Sequence, residues 1–192
     1  MVNEDQIVTI GLSPREFGIV EDHAAAANVG GKSHVDESRA KQYEYQLAGQ
    51  MSEAALFIWA GHNSAASFEH YDQRRQKINL TPHKGDQGWE MVFKTHRVDV
   101  KGSHIRNPSR KLFDYHLYVR RPEMKADRFV LALVPMDESR TVQLVGWFPR
   151  LYFKDGVHNT KLRDRFEIKA AALYPMHLFE HFDERQTFNA KR

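Results

Sequence analysis

The sequence predicts an α/β domain: a central mixed sheet of about five strands, with one long helix on one face and a short C-terminal helix against the sheet. Three observations predict it. Within residues 36–60, Tyr43, Leu47, Met51, Ala54 or Ala55 and Ile58 fall three or four apart, the spacing of one face of an amphipathic helix. Short apolar or alternating runs of strand length then follow at 91–93, 97–103, 113–119, 129–134 and 141–148. Finally, 192 residues with an apolar fraction of 41% and a charged fraction of 28% suffice for one domain with a full core and do not resemble a disordered chain.

Taken in order, residues 1–36 read as an N-terminal arm or irregular cover. A short strand is expected near Ile7 to Ile10, and the Gly30-Gly31 pair interrupts any helix through Ala24–Ala27. Residues 37–192 form the core domain. Ser33 or Asp36 is the candidate N-cap of the long helix, and Gly61 stands where a C-cap glycine belongs. Gln46, Gln50 and Glu53 share a polar face of that helix, with Glu53 beside small residues that would partly cover it. Residues 68–80 show no clear period and are expected to end as a strand at 77–80, closed by Pro82. A glycine-bounded turn at 84–88 leads into a hairpin: an apolar strand over 91–93, a polar turn, and an alternating strand from Arg97. Residues 104–111 form a basic loop, three strands follow, and 166–182 read as a strand end with a short terminal helix.

Composition excludes several classes. Without cysteine there are no disulfides, thiolate zinc sites or cysteine nucleophiles, so any metal must be held by oxygen or imidazole. No apolar run approaches the roughly 20 residues that span a bilayer, and the N-terminus lacks the basic region of a signal peptide, which leads us to expect a cytoplasmic protein. The net charge is only +3, but residues 84–111 carry seven basic side chains against three acidic ones. If a cation occupied the acidic three, Asp86, Glu90 and Asp99, the surroundings would be strongly positive and suited to phosphates. A solvated basic loop explains the same charges.

The chemistry-bearing residues lie on the hairpin. Asp99 and Lys101 are two apart on a strand, so both emerge on one face. Glu90, at the start of the preceding strand, approaches Asp99 if the strands pair. Two carboxylates and a lysine so placed suit a hard divalent cation and a phosphate. As letters alone, Asp-X-Lys also describes any ion pair along a strand.

Gly88-Trp89-Glu90, followed nine positions later by Asp99-Val100-Lys101-Gly102-Ser103, resembles the core signature of the PD-(D/E)XK nuclease superfamily, with its restriction-endonuclease-like fold. Gly49 to Glu53 is similar to the helical glutamate of many members, and 114–119 with 145–148 look like later core strands of phage and bacterial members. The resemblance implies a Mg²⁺-dependent nuclease, with Mn²⁺ as substitute, cutting DNA by direct attack of water and acting as a dimer where both strands are cut. Glu90, Asp99 and the Val100 carbonyl would bind the metal, Lys101 would orient the nucleophile, and Glu53 would complete the shell directly or through water. Lys84, Arg106, Arg110 and Lys111 are the candidate contacts to the nucleic-acid backbone. The first acidic position holds Glu90 and the family's proline is missing, so Asp86 stands as its substitute. We favour Glu90, because Asp86 lies among glycines where Asp is a common turn residue. A protein that keeps this fold and binds nucleic acid without turnover is the alternative. His177-Leu-Phe-Glu180-His181 also matches the His-x-x-Glu-His order of some zinc peptidases, but Phe179 and Phe182 suggest packing on the sheet.

Overall fold

A computed structural model describes residues 2–30, 39–61, 65–80, 89–105, 109, 111–120, 125–135, 137–154 and 165–180. The elements are β1 (Val8–Gly11), α1 (Pro14–Gly30), α2 (Arg39–Ala60), α3 (Ala65–Leu80), β2 (Met91–Phe93), β3 (His96–Ile105), β4 (His116–Arg120), β5 (Arg128–Pro135), β6 (Thr141–Pro149) and β7 (Arg165–Lys169). Five strands form a mixed sheet in the order β1-β6-β5-β3-β2, with β3 parallel to β5 and the other pairs antiparallel. β5 is buried from Arg128 to Val134, as the run Phe-Val-Leu-Ala-Leu-Val requires of a strand covered on both faces.

Two apolar layers sandwich this sheet. Val98 and Val100 of β3, with Val130, Ala132 and Val134 of β5, pack against Met51, Ala54, Ala55 and Ile58 of α2. On the other face Phe129, Leu131 and Leu133 meet Leu117 and Val119 of β4 and Phe166 and Ile168 of β7, which pair as a separate two-stranded sheet. Gly102 sets how closely α2 approaches: a Cβ there would lie 2.5 Å from Ser52 Oγ and 2.9 Å from the Ala48 carbonyl oxygen. Trp59 of α2, Phe93 of β2 and Trp147 of β6 converge on Phe179, with ring centroids 5.3, 5.7 and 5.1 Å from it. Arg128 is buried between Trp147 and Phe179, donates to the Phe179 carbonyl and lies 3.0 Å from His96 Nε2.

The structure corrects the expected layout in four places. Of the segment expected as an arm or irregular cover, the strand expected near Ile7 to Ile10 is present as β1 and extends the sheet, but residues 14–30 form a helix, α1, that packs on α2 with Val20 and Ala24 fully buried. α1 begins with a capping box, in which the Ser13 amide donates to Glu16 Oε2 at 2.7 Å and the Glu16 amide to Ser13 Oγ at 3.3 Å, with Pro14 at the first helical position. Residues 65–80 are helix throughout, with no strand at 77–80. The strand expected at 113–119 begins only at His116 and joins β7 instead of the main sheet, where β1 is the fifth strand. Where a short terminal helix was expected, the described residues form 3-10 turns at Ala170–Ala172 and Met176–Leu178, which bring Phe179 into the core. The candidate N-caps Ser33 and Asp36 lie outside the described residues. Among the described residues, no helix is long and apolar enough to cross a membrane.

Candidate functional site

β2 and β3 pair antiparallel in the register Met91↔Val98, Val92↔Arg97, Phe93↔His96. The two-residue turn places Lys94 at φ 54°, in the left-handed region. Side chains alternate along β3. Since Val98, Val100 and Gly102 face α2, Asp99 and Lys101 share the opposite face. There Lys101 Nζ lies 2.9 Å from Asp99 Oδ2, and the Asp99 side chain is 3% exposed. A charge so poorly hydrated is held by its cation, and the lysine, whose side chain is 30% exposed, keeps a path to solvent.

Glu90 sits immediately before β2. Its amide donates at 2.8 Å to the carbonyl of Val98, although Val98 is already the ladder partner of Met91. Two residues against one is the arrangement of a β-bulge, which re-aims the side chains around it. Trp89 is thereby turned to the Arg97 side, where it packs with the β4–β7 layer and the Arg97 guanidinium lies 5.9 Å from its ring. Glu90, itself buried, borders a cleft of about 400 Å³ whose lining includes Phe57, Ser67, His70, Arg74 and Phe93. The hairpin thus brings Glu90 beside the residue that precedes Asp99.

Glu53 is placed differently. It lies on α2, on the helical side of the sheet, and is 6% exposed. Arg75 of α3 grips both oxygens: Nε donates to Oε2 at 2.8 Å and the guanidinium also contacts Oε1. Arg74 Nη1 is 3.5 Å from Oε2, while its other arm, Nη2, donates to the Trp89 carbonyl at 2.7 Å. A cation at Glu53 would have to displace a two-point arginine contact. Arg74 and Arg75 carry no hydrophobic period, and only the helical nature of α3 would have pointed to them.

The remaining candidates, and two residues beside them, His104 and Trp147, divide. Asp86, Lys84, Arg106 and Arg110 lie outside the described residues. Lys111 is exposed, at the start of the 3-10 turn Leu112–Asp114. Val100 directs its side chain into the α2 core. His104 stacks on Tyr45 of α2, ring centroids 5.6 Å apart, on the face away from Asp99. Trp147 is a packing residue, fully buried with its indole N–H donating to the Pro175 carbonyl at 3.2 Å. Of the zinc-peptidase pattern, His177 is exposed, Glu180 pairs with Lys94 at 3.3 Å, and His181 lies outside the described residues.

Glu90 and Asp99 carry the hard oxygen donors that Mg²⁺ requires, but Glu90 borders the cleft lined from α2 and α3 whereas Asp99 lies on the face of β3 away from α2, so the two carboxylates do not converge on one ion in this arrangement. Glu53 in its arginine grip does not fit as a direct ligand. Among the described residues, no group of three or more His, Asp or Glu side chains is gathered to hold an ion. Compared with known proteins, the chain matches no family model, no curated protein and no solved structure.

Proposed function

We propose that the protein is a metal-dependent phosphodiesterase acting on DNA, with a restriction-endonuclease-like core. The reading rests on one observation above others: the buried Asp99 carboxylate with Lys101 Nζ 2.9 Å away on the same strand, beside a bulge that carries Glu90. A carboxylate with so little solvent needs a cation, and functional sites are where such poorly hydrated charges collect. By the sequence resemblance, Glu90 and Asp99 would hold Mg²⁺ or Mn²⁺, with the Val100 carbonyl as a further oxygen, which would require Glu90 to turn toward the Asp99 face. The bound ion supplies Lewis-acid polarisation of a phosphate and an ionised water. Lys101 orients the nucleophile by hydrogen bonding and offsets negative charge on the phosphate, which its short distance to Asp99 and its partial exposure allow. DNA as the polymer, cytoplasmic action and a homodimer for cutting both strands come from the sequence resemblance.

A second reading, nucleic-acid binding without turnover, is favoured by the commitment of Glu53 to Arg75, which removes one of the acidic groups expected at the ion. Supercoiled plasmid incubated with the protein and Mg²⁺ or Mn²⁺ separates the two. We expect nicking by the wild type and a loss of about 10²-fold or more in Asp99→Ala and Lys101→Ala. Nicking that persists undiminished in both variants refutes this site. Retained DNA binding with no nicking under either metal selects the second reading.

A further inference from the structure

β4 and β7 pair as a two-stranded sheet that packs one face on the main sheet. Leu117, Val119, Phe166 and Ile168 are buried there, so the alternate positions, His116, Tyr118, Arg120, Glu167 and Lys169, belong to the outer face. That outer set includes an aromatic residue, Tyr118, which is 44% exposed. Its hydroxyl donates at 3.2 Å to Oε1 of Glu167, its partner directly across the ladder. His116 Nε2 lies 3.4 Å from the same oxygen, and the His116 and Tyr118 ring centroids are 5.9 Å apart. One carboxylate therefore holds two rings side by side while much of Tyr118 stays in solvent. A single exposed tyrosine is ordinary. Two rings fixed in place are a prepared surface, because they need little ordering when something binds. Cations bracket them: Lys169 is exposed opposite His116, and Arg120 is exposed two positions beyond Tyr118. Within the two strands three basic residues stand against one acidic residue, Glu167, which the rings already engage.

Cations at the ends and rings between them suit a ligand that alternates anionic links with flat bases. An anionic membrane would call for aliphatic or aromatic side chains free to insert, whereas the aliphatic residues of these strands face inward and the rings are tied to Glu167. An acidic peptide would use the cations and leave the rings idle. Duplex DNA keeps its bases stacked on one another, out of reach of a sheet face. We infer that the outer face of the β4–β7 sheet binds single-stranded DNA, with bases stacked on Tyr118 and His116 and phosphates beside Lys169 and Arg120. The choice of DNA over RNA rests on the proposed function. The face itself shares no residue with the Asp99 site and needs no metal.

The test is fluorescence anisotropy of a short labelled oligo-dT titrated with the full chain in EDTA, beside thermal unfolding of each variant. Chelator stops hydrolysis, so binding is read independently of the proposed activity. We expect Tyr118→Ala to raise the dissociation constant about tenfold, the scale of one lost base stack, and Tyr118→Phe, which keeps the ring and loses the bond to Glu167, to stay within about threefold of the wild type. Lys169→Gln and Arg120→Gln are each expected to flatten the slope of log affinity against log salt by about 0.7. Tyr45→Ala, at a comparably exposed tyrosine on α2, is expected to leave binding unchanged. A wild type that does not bind oligo-dT at low salt overturns the inference, as does a Tyr118→Ala protein that binds like the wild type. Tighter binding of duplex DNA, oligo-U or phosphatidylserine vesicles than of oligo-dT overturns it too, and names the occupant instead. Should Tyr118→Ala not fold, the two glutamine variants decide: flattened salt slopes support the inference and unchanged slopes overturn it. Plasmid nicking that is absent while oligo-dT binding persists refutes the proposed hydrolysis and leaves this face standing.

Discussion

Tyr71 stands fully buried between α2 and α3, and its hydroxyl donates to Gln50 Oε1 at 3.0 Å. Burial first, then the neighbouring Asp72 carboxylate, pushes the phenol well above its ordinary range, so it remains protonated wherever the protein is folded. In the unfolded chain the phenol ionises near pH ~10, while the folded protein retains the proton. The folded state therefore binds more protons above that pH, and stability falls as pH rises through it, by about 1.4 kcal/mol per unit for one group. The contribution is intact below pH ~10. Tyr71→Phe strands a buried amide oxygen and is expected to lose about 1–2 kcal/mol at neutral pH, yet to show a flatter decline under alkali. Urea unfolding of both proteins between pH 8 and 11 measures this, and parallel curves would refute it. At the same scale, the two-residue period of a strand suffices to place Asp99 and Lys101 together. Glu53 could not be placed that way, because its partners lie 21 and 22 positions away on α3.

Between elements, the sheet is tied at one end by Asp127. Burial alone would push its carboxyl up, but hydrogen bonds from Arg97 and the charges of Arg97 and Arg150 outweigh this and hold it below the usual carboxylate range. A lowered carboxyl contributes stability above about pH 4, and that contribution is lost as pH falls through the folded value. Asp127→Asn should therefore melt lower than wild type at pH 7, with the gap closing toward pH 3. Calorimetry across that range checks it, and a gap independent of pH would exclude the ion pairs as its cause. On the helical side, α2 rests on Gly102 with no room for a methyl group between Ser52 and the Ala48 carbonyl. Gly102→Ala is expected to cost about 1–3 kcal/mol by pushing α2 off the sheet, read as a lower urea midpoint. These contacts mark the limit of what sequence can disclose about elements. α2, β5 and β6 were legible because their apolar residues keep one period and face one layer. α3 was not, because Asp72, Arg74 and Arg75 attach it to its neighbours through polar contacts that leave no hydrophobic period. β4 was legible as a strand, but pairing with β7 spans about fifty residues and no local pattern encodes it. α1 did carry a signal, the Ser13-Pro14-Arg15-Glu16 capping box, masked by the alanine run and the glycines after it.

For the whole molecule, the decisive question is whether the N-terminal thirty residues are an appendage or part of the fold. β1 pairs with β6 from Val8 to Gly11, opposite Leu144 to Thr141, and so covers one edge of the main sheet. α1 lays Val20 and Ala24, both fully buried, against the α2 layer, and its His23 reaches Asp72 of α3 at 2.7 Å. Removing residues 1–30 would bare the β6 edge and the apolar surface that α1 covers, and a bared strand edge is a template for association. A dispensable arm predicts a truncated protein that unfolds cooperatively near the wild-type temperature and stays soluble. The packing predicts the opposite: loss of a cooperative transition, or aggregation on size exclusion. A point variant separates packing from chain length. Val20→Ala removes two methyl groups from a site without solvent and is expected to cost about 1–3 kcal/mol, whereas an alanine at exposed Arg15 should cost less than about 0.5. Equal midpoints for the two variants in urea would return the segment to the status of an arm. Because α1 also packs on α3, which carries Arg74 and Arg75, the same truncation is expected to loosen the helical support of the Trp89–Glu90 bulge. Hydrogen exchange in a peptide covering 89–98, compared between wild type and Val20→Ala, reads that coupling directly, with faster exchange the expected result.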